Sequence, residues 1–274
     1  MFTKINQFAI MNILDKIVAY KKKEVEERKR LTPVSELEDF EFFEDECDLL
    51  KQSLLLSDAT GIIAEFKRKS PSKGIINDKA GIFDVIDAYE MNGASGISIL
   101  TDEKYFGGTI EDIYDYRAAL GTPVLRKDFM IDEYQFYEAK AIGADVILLI
   151  AACLTPKQAK EFASLAKQLG LEVLLEIHNE EELEHICDEV DFVGVNNRNL
   201  KTFEVDINTS LNLIDKIPKD KIVIAESGIS NVDTIITLKQ AGFKGFLIGE
   251  NFMKQPDPAI AFAEFVKELK AKMI

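Results

Sequence analysis

"GIIAEFKRKSPSKG", residues 61–74, is the stretch on which the fold turns. Its first half is an apolar run of strand composition that ends in a basic turn. Taken alone, it is either a strand surfacing into a solvated loop or a strand delivering an acid, a lysine and a hydroxyl to an anion site. A doubly wound nucleotide-binding sheet would follow its first strand with a GxGxxG turn, and "KRKSPSKG" is not one. Beyond it, short runs rich in β-branched residues recur at 96–101, 123–129, 144–152, 171–177, 191–197, 221–228 and 245–250. Successive starts lie 20 to 35 residues apart, room each time for a helix and two loops. "DEYQFYEAKAIGAD" (132–145) and "TPKQAKEFASLAKQLGLE" (155–172) are the clearest intervening helices, each ending near a glycine suited to a C-cap. Eight strand-helix units without a sustained hairpin signal predict an α/β chain folded as a (β/α)₈ barrel over residues 61–274, with a doubly wound sheet as the alternative.

Residues 1–60 form an N-terminal extension to the same single structural domain, helical from about residue 12. Residues 1–10 stand outside the helical pattern, as a lead or an upstream start. In "MNILDKIVAYKKKEVEERKR" (11–30), Ile13, Leu14, Ile17 and Val18 form an apolar stripe, while the lysine-rich half is polar and suited to Lys/Glu i,i+4 pairs. Pro33 ends that helix or follows its end. The helix is either a scaffold cap on the bottom of the barrel or a lid near its mouth.

With 274 residues, 47% of them hydrophobic, the chain can bury a large core. Its net charge of -15 opposes general binding to nucleic acid or anionic membrane. Cys47, Cys153 and Cys187 have no CxxC spacing, and His178 and His185 form no ligand pattern with them, so neither a metal site nor a disulfide framework is expected. The longest apolar run, residues 146–154, is too short to span a bilayer, and a cytoplasmic protein is expected.

Residues two apart on a strand share a face. Ile63, Glu65 and Lys67 therefore align, as do Leu125, Lys127 and Phe129; Leu174, Glu176 and His178; Gly194, Asn196 and Arg198; and Ile224, Glu226 and Gly228. Five strands carry ionisable or amide groups at their C-terminal ends, which converge on one mouth in a parallel barrel. Buried charges need partners, so these groups should pair or face a polar cavity. Ser227 and Gly228 after the seventh strand, with Gly249 and Glu250 after the eighth, suit a phosphate site, and Ser70 and Lys67 add to it.

These residues lie in "IIAEFKRKSPSKG", "SILTDEKYFGG", "PVLRKDFMID", "LLEIHNEEEL", "GVNNRNL", "IAESGI" and "FLIGENFM". With those motifs in that order, the chain resembles the indole-3-glycerol phosphate synthase family from about Asn12 onward. The resemblance implies a lyase of tryptophan biosynthesis. It would close 1-(2-carboxyphenylamino)-1-deoxyribulose 5-phosphate to indole-3-glycerol phosphate with loss of carbon dioxide and water, using no cofactor and no metal. It implies Lys127 as general acid for ring closure, kept charged by an acidic neighbour such as Glu65, and Glu176 as acid/base group for dehydration. Lys67 would contact the substrate or share in proton transfer, Asn196 and Glu226 would position substrate and lysines, and Arg198 would lie near the substrate carboxylate. Ser70, Ser227, Gly228, Gly249 and Glu250 occupy phosphate-site positions, Glu250 through its backbone N–H with its side chain turned away. Phe106, Phe129 and Leu149 would wall the aromatic ring.

The resemblance also favours the lid reading of the N-terminal helices and a monofunctional chain. It implies a monomer that takes a phosphorylated small molecule, with association with other tryptophan-pathway enzymes left open. Two rival readings are a phosphoribosylanthranilate isomerase, which would not need Glu65, Lys67 and Lys127 together, and a silent phosphate-binding barrel, which would not need the acid/base set.

Overall fold

The computed structural model describes residues 12–273. The expectations for residues 1–10 lie outside the described residues. Eight parallel strands close a barrel: β1 (Ile62–Phe66), β2 (Gly96–Leu100), β3 (Val124–Lys127), β4 (Val146–Ile150), β5 (Glu172–Ile177), β6 (Phe192–Asn196), β7 (Ile222–Glu226) and β8 (Gly245–Ile248). Each pairs with the next in the sequence, and β1 pairs with β8 to complete the ring. The doubly wound alternative is thereby excluded.

Strand alternation divides the core into two layers. Ile63, Leu125, Leu148, Leu174, Ile224 and Leu247 fill the barrel, while Ile62, Ala64, Val173 and Val193 meet the surrounding helices. The helices Tyr134–Ala141 and Pro156–Gln168 fall in the stretches whose spacing predicts them. The second begins with a Thr155–Gln158 capping box and a proline in its first turn, where the missing N–H costs nothing. Not every connection is one helix. Between β2 and β3 the chain forms short helices at Glu103–Phe106 and Glu111–Tyr114, broken at Gly107, whose φ is 73°. A Cβ on Gly108 would lie 1.7 Å from the Leu100 carbonyl oxygen, so this turn folds tightly back on β2.

The extension covers both ends of the barrel. Helix α1 (Ile13–Leu31) opens with an Asn12–Asp15 capping box, and Pro33 follows its end as N-cap of the short helix Val34–Leu37. Its Ile13, Leu14 and Ile17 reach the cavity at the C-terminal ends of the strands. The helix Leu50–Leu55 plugs the opposite end: Leu50 and Leu54 join the barrel interior, and the Lys51 N–H donates to Glu172 at the start of β5. Burying each leucine contributes about 1.5–3 kcal/mol. Helix α1, for which both positions were open, lies at the mouth, and the opposite end is closed by a later helix of the extension. Among the described residues, no helix is long and apolar enough to cross a membrane.

Candidate active site

A cavity of about 390 Å³ opens at the C-terminal ends of the strands. Its lining includes Glu65, Lys67, Ser70, Phe106, Lys127, Phe129, Glu176, Asn196, Arg198, Glu226, Ser227, Gly228, Gly249 and Glu250, fourteen of the fifteen residues expected at the site. Leu149 is the exception. On β4 it belongs to the outer layer against the helices, while Leu148 and Ile150 line the cavity, so the expected register is off by one residue. Phe106 and Phe129 form an apolar wall with ring centroids 6.1 Å apart, and α1 adds Ile13, Leu14 and Ile17.

Lys127 is the hub of the charged floor. Its Nζ lies 2.6 Å from Glu226 Oε2 and 3.1 Å from Glu176 Oε2. Glu65 is not its direct partner, because that carboxylate takes Lys67 instead, Oε1 to Nζ 2.5 Å. Burial alone would pull the Lys127 ammonium down, but Glu226, Glu176 and Glu65 more than reverse this, and it titrates above its ordinary value. Burial pushes Glu226 above the usual carboxylate range, with Lys127 opposing and Glu176 reinforcing the rise. Glu176 goes the other way: burial would raise it, but Lys127 and His178 hold it below that range. The two carboxylates on one lysine therefore differ in basicity.

Glycines make this packing possible. A Cβ on Gly194 of β6 would sit 2.2 Å from Glu226 Oε1, and one on Gly249 would sit 2.4 Å from Glu65 Oε1. Gly249 therefore makes room for a carboxylate as well as lining the cavity.

Ser70 sits on a small antiparallel hairpin, Lys69–Ser70 against Gly74–Ile75, where its Oγ accepts from the Lys73 N–H at 3.3 Å. Arg68 leaves the mouth and binds Asp112 through both terminal nitrogens, at 2.5 and 2.8 Å. Ser227 has φ 65°, and Gly228 follows at 77°. A left-handed non-glycine costs of order 1–3 kcal/mol and must be held by its surroundings. Asn197 Nδ2 donates to the Ser227 carbonyl at 3.1 Å, and its Oδ1 accepts from the Ser210 N–H and hydroxyl.

Arg198 reaches Ser72 Oγ and Glu250 Oε2, each at 3.2 Å, on the hairpin side of the mouth. The Glu250 side chain does not turn away but rests on that guanidinium, because a buried-edge carboxylate takes the nearest cation.

Sequence reasoning assigned no role to Asn197, Ser72, Leu148, Ile150 or His178. The inward parity of β5 already aligned His178 with Glu176; its Nε2 lies 3.1 Å from Glu176 Oε1.

A sequence model of the family "Indole-3-glycerol phosphate synthase" matches residues 14–265. An indole-3-glycerol phosphate synthase of Bacteroides thetaiotaomicron is 46% identical over 259 residues, covering 94% of this chain and 99% of that one. Another, from Caldanaerobacter subterraneus subsp. tengcongensis, is 45% identical over 267 residues, with coverage of 94% and 99%. In three dimensions, a chain of the tryptophan synthase complex of Pyrococcus furiosus superposes with a TM-score of 0.59 at 18% identity, over 78% of this chain and 98% of that one. At that identity the likeness concerns the barrel alone.

Proposed function

The chain belongs to the indole-3-glycerol phosphate synthase family and carries out that family's carboxy-lyase step of tryptophan biosynthesis; we propose that the barrel mouth divides the work as follows. The substrate, 1-(2-carboxyphenylamino)-1-deoxyribulose 5-phosphate, is flexible and must fold so that its ring carbon meets its carbonyl. The Phe106–Phe129 wall and the apolar end of α1 take the ring, and the Ser70, Ser227–Gly228 and Gly249–Glu250 turns take the phosphate through hydroxyl and backbone N–H groups.

Lys127 gives its proton to the carbonyl oxygen as the ring carbon that bears the carboxylate attacks the carbonyl carbon. Carbon dioxide then leaves. Loss of the new hydroxyl as water needs one proton delivered to it and another removed from the ring. Glu176, held anionic, suits the removal, and Lys67 in its pair with Glu65 offers a second ammonium at the cavity. Glu226 and Asn196 position these groups. Arg198 exchanges Glu250 for an anionic group of the substrate.

The observation that carries this reading is the Lys127 ammonium clamped between Glu226 and Glu176 at the base of an apolar-walled cavity. An acid held charged in that position can wait for a carbonyl oxygen. With the carboxyphenylamino ribulose phosphate supplied and indole fluorescence followed, Lys127→Met should lower kcat by about 10²–10⁴-fold with little change in KM. A well-folded Lys127→Met enzyme with near-normal kcat would remove Lys127 from the acid role.

A further inference from the structure

His178 lies one residue beyond β5, its side chain 9% exposed, outside the cavity lining and unused by the reaction as assigned above. Its ring lies between two carboxylates. Nε2 is 3.1 Å from Glu176 Oε1, an ion-pair contact without the alignment of a hydrogen bond, and Nδ1 is 3.1 Å from Glu182 Oε2. The same Glu182 oxygen accepts the His178 backbone N–H at 2.7 Å. Asn179 in turn fixes Glu182, donating from Nδ2 to Oε1 at 3.0 Å and accepting the Glu182 N–H at 3.2 Å. Glu176 is thus bridged between two cations, Lys127 on Oε2 and His178 on Oε1.

We propose that His178 is a positioning residue for Glu176, acting as a permanent imidazolium that keeps Glu176 anionic and aimed into the mouth throughout the reaction. The proposal rests on the reading of Glu176 as the proton-removing group for dehydration. Its logic follows from charge. When Lys127 gives up its proton during ring closure, Glu176 loses one of its two cations. Without the other, the carboxylate would become more basic and would take up a proton before the dehydration step needs it. His178 cannot be spent the same way, because it lines no part of the cavity and Glu182 holds its far side. Burial alone would lower the imidazole's affinity for its proton, but Glu176 and Glu182 carry it up to about 10, so the ring stays charged at neutral pH. The groups facing this unit are Lys127 from β3, Asn196 from β6, Glu226 from β7 and Glu182 from the turn after β5. Cys153, after β4, is kept a neutral thiol by burial and by the field of Glu176 and Glu182.

The test is the pH profile of kcat/KM, read by indole fluorescence between about pH 5 and 9, for His178→Ala, His178→Asn, Glu176→Gln and the double variant Glu176→Gln/His178→Ala. Loss of the imidazolium raises the proton affinity of Glu176, so the acid limb should move to higher pH by about one unit or more in both His178 variants. At pH 7, kcat should fall about tenfold while KM stays within about twofold. The double variant should be no slower than Glu176→Gln, because His178 acts only through that carboxylate. His178→Asn keeps a polar group of similar reach and carries the test if His178→Ala folds poorly. An unmoved acid limb in a folded His178 variant, or losses that multiply in the double variant, overturns the proposal. Near-normal activity of Glu176→Gln would instead overturn the role given to Glu176, a separate result.

Discussion

Gly194 shows how much of the site depends on an atom that is missing. It lies mid-strand on β6, where a glycine ordinarily weakens a strand, yet any Cβ would meet Glu226 Oε1 at 2.2 Å and Leu174 Cδ1 at 3.1 Å. Gly194→Ala should therefore push Glu226 off Lys127. Overpacking should cost about 1–3 kcal/mol in urea unfolding, and a displacement of about 1 Å at the floor should lower kcat up to about a hundredfold. An alanine variant with unchanged kcat would mean that Glu226 is not needed where it stands. Sequence reasoning aligned Gly194 with Asn196 and Arg198 but could not see its purpose, since the carboxylate it accommodates arrives from the next strand. Polar residues at alternate positions marked the inward face on β1, β3, β5, β6 and β7. On β4 the run from Val146 to Leu154 is apolar at nearly every position, so nothing in it reveals which parity faces the cavity. Leu149 is therefore not distinguishable from Leu148 and Ile150 by pattern alone.

At the scale of elements, α1 is held by a charge where its sequence reads as polar surface. Ile17, Lys21 and Val25 repeat at the four-residue spacing of a buried stripe, and all three are buried. The Lys21 ammonium meets Glu24 at 2.8 Å, Asp128 at 2.9 Å and Asp102 at 3.0 Å. Asp102 caps the short helix that carries Phe106, and Asp128 follows Lys127 and binds the Phe129 N–H, so one lysine ties α1 to both halves of the aromatic wall. Within "YKKKEV" the charge pattern does not set this lysine apart from its neighbours, because two of its three acids, Asp102 and Asp128, lie just past β-strand ends far along the chain. Lys21→Met should leave Asp102 and Asp128 without their shared cation. The expected loss is about 3–5 kcal/mol in urea unfolding, with KM rising more than kcat falls as α1 loosens from the mouth. A variant as stable as the parent would show that Arg126, which also reaches Asp128, can neutralise the cluster alone.

For the whole molecule the open question is how a chain of net charge -15 captures a substrate bearing phosphate and carboxylate. Lys67, Arg68, Lys69, Lys127 and Arg198 fall in the motifs around the mouth, and unpaired they would attract anions and make capture weaken as salt rises. Arg68 is spent on Asp112 outside the mouth, and Lys67, Lys127 and Arg198 each face a carboxylate inside it. The cavity lining holds four cations, Lys67, Lys127, Arg198 and Lys254, against the five carboxylates of Glu65, Asp128, Glu176, Glu226 and Glu250. Lys21 answers Asp128 from behind, so the mouth is close to neutral, and the long-range field is that of the acidic body. At about 0.01 M salt the screening length is about 30 Å and the approaching polyanionic substrate feels the whole molecule; at about 0.15 M it is about 8 Å and only the mouth remains. Capture should therefore improve on adding salt: kcat/KM should rise roughly two- to fivefold between those ionic strengths in chloride, which competes weakly for a phosphate site. The same titration should leave kcat unchanged, because the bound substrate exchanges partners with paired groups shielded from the bulk. A steep fall in kcat/KM would instead mean that the lysines separate from their carboxylates before the substrate arrives, exposing a net positive mouth.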